Sequence, residues 1–264
     1  MAWSKIKTYH SIFSKFFGRL AMKKTLIIIT GASKGLGKGL LSHFCAEPNH
    51  ELVAIARSQI KASEQVRSLQ LDLSDSEKLE QAIPEIFADL AQYDRIVLIN
   101  NAGWIGPVKK VGKLSVSDWQ KLFAINVTAC MQLMNAFVEY CEALSSERIV
   151  INISSGAGKK PLDGWAAYCS SKAALDMLTQ VAAQEAELTG SGIRFFALAP
   201  GIVDTDMQSD IRSASADQFS SLDRFLSYKS EGKLSSPAEV AEKIAYLINH
   251  THQFPSVLQD VRQF

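Results

Sequence analysis

Short apolar runs alternate along the chain with longer stretches in which apolar residues return every three or four positions. The runs at residues 26–29, 52–56, 66–71, 95–99, 148–153 and 193–198 have strand length and show no polar alternation. Helical spacing covers residues 36–46, 76–90, 117–144, 165–188 and 237–249, and residues 257–261 predict a short last strand. Ser74 or Asp75 is placed to cap the helix that begins at Ser76. Strands that are apolar at every position are buried on both faces, and alternating helices bury them that way. The pattern predicts an α/β fold: one doubly wound parallel sheet with helices on both faces, in a single domain over residues 25–264. The stretch 204–233 is rich in Ser, Asp and Lys and too long for a plain connection, so it reads as an irregular lid.

Composition adds exclusions. Of 264 residues, 47% are apolar and 21% charged, with a formal net charge of +1. Such a chain can fill a core, is not a disordered or collagen-like chain, and is not a nucleic-acid binder that works by strong positive charge. The charge is uneven, because Lys5, Lys7, Lys15, Arg19, Lys23 and Lys24 stand in residues 1–24 without a single acid. There Ile6, Tyr9, Phe13, Phe16, Phe17 and Leu20 recur at helical spacing. The stretch reads as a basic, poorly ordered N-terminal extension with a second start at Met22; an amphipathic surface helix is the alternative. No uninterrupted apolar run reaches the roughly 18 residues that span a bilayer, so stable membrane insertion is not expected. Cys45, Cys130, Cys141 and Cys169 form no CxxC pair and no cluster with the five histidines. The expectation is a reduced, cytoplasmic setting and no metal.

Four constellations carry chemistry. Thr30-Gly31-Ala32-Ser33-Lys34-Gly35-Leu36-Gly37 lies between the first strand and the first helix, where glycines admit a tight turn and the helix N-terminus faces an anion. Tyr168 and Lys172 are four apart on a helix, so the ammonium lies one turn from the phenol. A neighbouring cation favours phenolate, and the pair predicts a phenol pKa lowered towards neutrality, fit for proton transfer. Ser154-Ser155 ends the fifth strand, and Ser155 stands thirteen residues before Tyr168. Asn126 sits inside a predicted helix, where Asn is unfavourable unless its side chain is used.

Together with Asp72, the Asn100–Gly103 turn and Pro200-Gly201 with Thr205, these residues fall in an order that resembles the short-chain dehydrogenase/reductase family, over residues 25–261. The resemblance implies a Rossmann-type fold and a set of roles. Tyr168 would protonate the substrate oxygen, and Ser155 would hydrogen-bond it. Lys172 would hold the nicotinamide ribose and depress the phenol pKa. Asn126 would support the long helix and a proton-relaying water. Asp72 with Leu73 would meet the adenine, and Thr205 the carboxamide. Thr30, Gly31, Ser33, Lys34, Gly35, Leu36, Gly37, Asn101, Ala102, Gly103, Pro200, Gly201 and Val203 would complete the dinucleotide site.

Cofactor choice is read at the end of the second strand, where an acid would bind a ribose 2′-hydroxyl. This chain has Arg57-Ser58 there and Lys34 in the glycine loop, two cations that favour NADP(H). Within the family the later segments are similar to the sepiapterin reductase and benzil reductase branch. That implies an NADPH-dependent carbonyl reductase acting on one carbonyl of a vicinal diketone or on a pterin side-chain ketone. The same-fold alternative is a 3-oxoacyl or other alcohol/ketone oxidoreductase; the alternative of another class is a non-catalytic dinucleotide-binding regulator. Trp104, Trp165 and Met207 are expected pocket walls, and Asp260 stands where an acid anchors the pterin ring in that branch. The two long helices carry more apolar positions than one sheet face can cover, which predicts a homodimer or homotetramer.

Overall fold

The computed structural model describes residues 23–264. The N-terminal extension and the second start at Met22 lie outside the described residues, apart from Lys23 and Lys24. Those two are tied to the body: Lys23 pairs with Glu147 at 2.6 Å and Lys24 with Glu51 at 2.9 Å.

The strands are β1 (Thr25–Thr30), β2 (His50–Ala56), β3 (Val66–Gln70), β4 (Arg95–Asn100), β5 (Glu147–Ile153), β6 (Arg194–Ala199) and β7 (Leu258–Asp260). They form one sheet in the order β3-β2-β1-β4-β5-β6-β7, and every neighbouring pair is parallel. The helices are α1 (Gly35–Cys45), α2 (Ser76–Ile86), α3 (Val116–Phe123), α4 (Ala129–Cys141), α5 (Ala166–Thr189), α6 (Asp206–Arg212), α7 (Leu222–Ser230) and α8 (Pro237–Asn249).

Parallel strands exclude water on both faces, and the core divides accordingly. Leu26, Ile28, Val53 and Leu98 face α2, α4 and α5, meeting Leu79, Leu133 and Phe137. Ile27, Ile29, Val97 and Ile151 face α1 and α8, meeting Leu40, Phe44, Ile244 and Leu247. Successive strand residues thus serve opposite layers, and each must be apolar. The chain reverses its direction of winding between β1 and β4, the place where a doubly wound sheet opens a crevice at the strands' carboxyl ends.

Three local expectations are corrected. The helix expected at 117–144 is broken: α3 and α4 are joined by a π turn at Ala124–Thr128, which holds the wholly buried Asn126. Extra residues of this kind cluster at functional sites. The helix expected at 76–90 stops at Ile86, and Asp89 then takes a left-handed φ of 58° before a short 3₁₀ turn. Its cap is Asp75, whose carboxylate accepts from the Lys78 N–H. The stretch 204–233 is not irregular. It forms α6 and α7, and Ile211, Phe219 and Phe225 bury themselves with Trp165. Its apolar residues are too sparse to show a period, because they fill a small satellite core rather than a sheet face.

By length and composition alone, the combined helix Val116–Cys141 could cross a bilayer. Gln120, Lys121, Asn126 and Gln132 interrupt its apolar run. Half of its most apolar window is buried within the domain.

Candidate active site

The carboxyl ends of β1, β2, β4, β5 and β6 open into one cavity of about 1320 Å³. A pocket for a single drug-sized ligand is typically ~300–1,000 Å³, so this volume suits a dinucleotide together with a second molecule.

The glycine loop is built from backbone contacts. Gly31 has φ +67°, a conformation that L side chains rarely adopt. The Thr30 hydroxyl accepts from the N–H groups of Asn101 and Ala102 at 2.9 and 3.0 Å, joining the β1 and β4 turns. Asn101 Nδ2 returns a bond to the Thr30 carbonyl at 2.9 Å. A Cβ on Gly37 would lie 2.1 Å from the Gly31 carbonyl oxygen, so α1 can press against the turn only as glycine. The α1 N-terminus has no side-chain cap and no acid in its first turn, whereas Asp75, Ser115 and Ser236 cap α2, α3 and α8. Uncapped N–H groups at a helix start are ready donors to an anion.

On the far side of the reversal point, α5 carries Tyr168 and Lys172 into the same cavity. Both are buried, at 7% and 3% exposure. Lys172 Nζ donates to the Ile153 carbonyl at 2.7 Å and lies 5.8 Å from the Tyr168 ring centroid. Ser155, two residues past β5, lines the cavity with Tyr168, and its hydroxyl accepts from the Ala157 N–H at 3.2 Å. The expected depression of the Tyr168 pKa is not what this geometry produces. Burial pushes the phenol up to about 12, against a smaller lowering from the Ser155 hydrogen bond. Burial also lowers the Lys172 ammonium from its ordinary value. In the free protein Tyr168 is therefore a protonated acid at neutral pH.

Asn126 lies behind the cavity rather than on its lining. Its Oδ1 accepts from the Trp104 N–H at 2.8 Å, and its Nδ2 donates to the Trp104 carbonyl at 2.9 Å and to Ser171 Oγ at 3.1 Å. It thereby fixes the Trp104 wall to the helix that carries Tyr168. Thr30 and Gly37 also stand behind the surface; the other expected cofactor residues, from Gly31 and Ser33 to Val203 and Thr205, line it. Asp72 lines it too, with its Oδ1 accepting from the Ser74 N–H at 2.9 Å. Lys34 forms an ion pair with Asp206 on α6 at 3.0 Å, and Arg57 stands just past β2, close enough to Asp72 to help lower its carboxyl.

The cavity's other end is walled by Trp104, Trp165, Met207, Phe225 and Tyr228. Trp165 meets Tyr168 edge-on at 5.6 Å and stacks on Phe219 at 5.1 Å. Asp260 lines this end, but Arg262 holds its carboxylate through Nε at 2.8 Å, Nη2 at 2.5 Å and the backbone N–H at 3.0 Å. Those bonds keep the Asp260 carboxyl below its ordinary value. Sequence reasoning overlooked Asp176, which takes a short hydrogen bond from Ser154. The signal was present: Tyr168, Lys172 and Asp176 repeat every four residues on one face of α5.

A model of the short chain dehydrogenase family matches residues 25–216. The chain belongs to that family. It is 38% identical over 226 residues to a benzil reductase ((S)-benzoin forming) of Bacillus subtilis, covering 84% of this chain and 93% of the relative. It is 33% identical to a sepiapterin reductase of Meriones unguiculatus over 245 residues, covering 84% and 90%. The crystal structure of the KRED1-Pglu enzyme superposes with a TM-score of 0.74 at 32% identity, covering 84% of this chain and 94% of that one. The chain is thus an oxidoreductase of the benzil and sepiapterin reductase branch; a 4-hydroxyisoleucine dehydrogenase 26% identical to it, with a TM-score of 0.69, was solved with NADH, a nicotinamide dinucleotide. The residues present fit that group. The uncapped α1 N-terminus and the glycine turn at Gly31 and Gly35 suit a pyrophosphate, and Tyr168 and Lys172 line the same cavity.

Proposed function

We propose that this short chain dehydrogenase is an NADPH-dependent reductase of aryl vicinal diketones, turning one carbonyl into an alcohol. The observation that carries the reading is the pairing of Asp260 with Arg262 beneath an aromatic wall. A carboxylate that already takes three bonds from Arg262 is poorly placed to anchor a pterin ring. The aromatic residues around it suit a flat apolar substrate. The B. subtilis relative's name, benzil reductase, supports the same choice.

When bound, the nicotinamide dinucleotide supplies the hydride equivalent. Ser155 orients the reacting carbonyl oxygen, and Tyr168 delivers a proton to it. Lys172 stays within reach of the Tyr168 ring and returns charge to a site that would otherwise be dry. A panel of benzil, 1-phenyl-1,2-propanedione, sepiapterin and an acetoacetyl thioester with NADPH tests the reading. The two diketones should show the highest kcat/KM. Faster turnover of sepiapterin or of the thioester would overturn it.

The preference for NADPH rests on Arg57, whose guanidinium can form charge-assisted bonds with a 2′-phosphate and which, with Ser58, stands at the end of β2 where an acid would bind the 2′-hydroxyl. Arg57→Asp should shift the ratio of kcat/KM for NADPH over NADH by about a hundredfold towards NADH. That equals two interactions of ~1.4 kcal/mol each, one lost and one repulsive. An unchanged ratio would remove Arg57 from cofactor selection.

We also infer a homodimer through α4 and α5. Met131 and Val138 on α4, and Met177, Val181 and Leu188 on α5, remain exposed, Met177 at 61%. Neither α8 nor the lid covers them: α8 packs on the opposite face, and α6 and α7 pack around Trp165. Light scattering at micromolar concentration should give twice the chain mass, and Met177→Glu with Val181→Glu should halve it. A wild-type monomer contradicts the inference.

A further inference from the structure

Asp176 is a buried carboxylate that the reaction chemistry leaves unused. It stands on α5 one turn beyond Lys172 and two beyond Tyr168, is 6% exposed, and lies behind the cavity rather than on its lining. A carboxylate withdrawn from water is costly unless hydrogen bonds hold it. Its Oδ1 accepts a short hydrogen bond from Ser154 Oγ. Burial raises its carboxyl from the ordinary value, while the Ser154 bond, and after it the charges of Lys159 and Lys172, pull it down. Ser154 is itself 4% exposed, and its N–H donates to the Leu198 carbonyl of β6 at 2.8 Å. The end of β5 is thus fixed to the sheet on one side and to α5 on the other. Two successive residues there are bonded to one face of α5: Ile153 accepts from Lys172 Nζ at 2.7 Å, and Ser154 donates to Asp176. The third, Ser155, enters the cavity beside Tyr168. The chain then turns at Gly156–Gly158 against the same helix face. A Cβ on Gly158 would lie 2.9 Å from Asp176 Oδ2 and 3.0 Å from the Lys172 carbonyl carbon.

We propose that Asp176 is a positioning residue: through Ser154 it sets the register of the β5 end against α5, and so holds the Ser155 hydroxyl where the substrate oxygen meets Tyr168. The proposal rests on carbonyl reduction as read above, and not on which ketone is reduced. Ser155 and Tyr168 must both reach one oxygen, yet they come from different elements, so the spacing of those elements decides whether both can. Pairing with β6 places β5 within the sheet but not against the helix. Lys172 crosses that gap on a flexible four-carbon stem. Ser154 and Asp176 cross it with two short side chains, and their bond fixes the distance more closely. What the contact requires of residue 176 is an acceptor for the Ser154 hydroxyl.

The test measures kcat and KM with NADPH for the fastest ketone of the panel in Asp176→Ala, Asp176→Asn, Ser154→Ala and Ser155→Ala, and in Ser155→Ala combined with Asp176→Ala or Ser154→Ala. Asp176→Ala and Ser154→Ala should each lower kcat about tenfold to a hundredfold, the scale of a misplacement of up to ~1 Å, with KM for NADPH unchanged. Asp176→Asn retains an oxygen acceptor for Ser154 and should stay within about threefold of wild type. In the Ser155→Ala background, Asp176→Ala or Ser154→Ala should cost less than about threefold more, because they act through the contact already lost. Melting temperature and fluorescence quenching by NADPH show which variants are folded and loaded; if Asp176→Ala does not fold, the Ser154→Ala comparison decides. A full further loss in the Ser155→Ala background would mean that Asp176 does not act through Ser155. Asp176→Asn as slow as Asp176→Ala would make the charge the requirement, not the bond. A lowered melting temperature with kcat unchanged would make the contact structural alone. Each of these overturns the proposal. A wild type that reduces no ketone of the panel overturns the reading of carbonyl reduction itself, a result distinct from any pattern among the variants.

Discussion

Tyr168→Phe should lower ketone reduction by about 10²–10⁴-fold, the range typical of a positioned general acid, while the protein still folds and quenches on NADPH addition. The substitution removes one oxygen. The ring's edge-on contact with Trp165 at 5.6 Å and its place beside Lys172 do not depend on that oxygen. The hydroxyl itself is the group that Ser155 influences and the proton donor of the proposed reaction. The effect should therefore appear in kcat rather than in cofactor affinity. The same residue makes a spectroscopic prediction. Burial holds the phenol up to about 12 in the free protein. A tyrosinate difference spectrum of wild type against Tyr168→Phe should stay flat through the ordinary tyrosine range, around pH 10. Near wild-type turnover by the variant would reject Tyr168 as the proton donor, and a phenol ionising near neutrality in the free protein would reject the burial argument.

The fold could be read from the sequence wherever one physical effect dominates. Ile27, Ile28 and Ile29 are successive, apolar and wholly buried, because a parallel strand between two helical layers has no solvent face. Tyr168, Lys172 and Ser155 were legible because helix period and strand end place them together. What escaped depends on contacts far apart in the chain. The π turn at Asn126 exists to reach Trp104 and Ser171, and nothing in the local spacing of α3 and α4 marks it. The stretch 204–233 was read as an irregular lid because its helices are held by Phe219 and Phe225 packing on Trp165, more than fifty residues away. The phenol's pKa was misjudged for a related reason. Spacing shows that Lys172 is near, but only the packed structure shows how completely both groups leave water, and desolvation then outweighs the neighbouring charge. Lys34 was read from its charge and its place in the glycine loop, and its exposed ion pair with Asp206, far off in the chain, could not be seen that way.

Gly37→Ala should be the most disruptive single-atom change at the dinucleotide end. The added Cβ would lie 2.1 Å from the Gly31 carbonyl oxygen and 2.6 Å from Asn101 Nδ2. Neither neighbour can yield freely. Gly31 is held in a left-handed turn, and Asn101 Nδ2 is bonded to the Thr30 carbonyl at 2.9 Å. The helix must therefore move outwards, and α1 is packed through Leu40 and Phe44 against the sheet and α8. Overpacking of this kind costs about 1–3 kcal/mol or more, and a backbone contact this short belongs at the upper end. For a domain of this size ~3 kcal/mol is a fall of roughly 6–12 °C in melting temperature. The same displacement carries the uncapped N–H groups of α1 away from the turn. NADPH affinity, read by fluorescence quenching, should weaken at least tenfold, equivalent to ~1.4 kcal/mol. Gly39→Ala offers a comparison, since its Cβ would meet Pro237 at the head of α8, 2.8 Å from the carbonyl oxygen and 2.9 Å from Cβ, away from the turn. It should lower stability while sparing nucleotide affinity. If Gly37→Ala bound NADPH as wild type does, the close approach of α1 to the glycine turn would not be what forms the dinucleotide site.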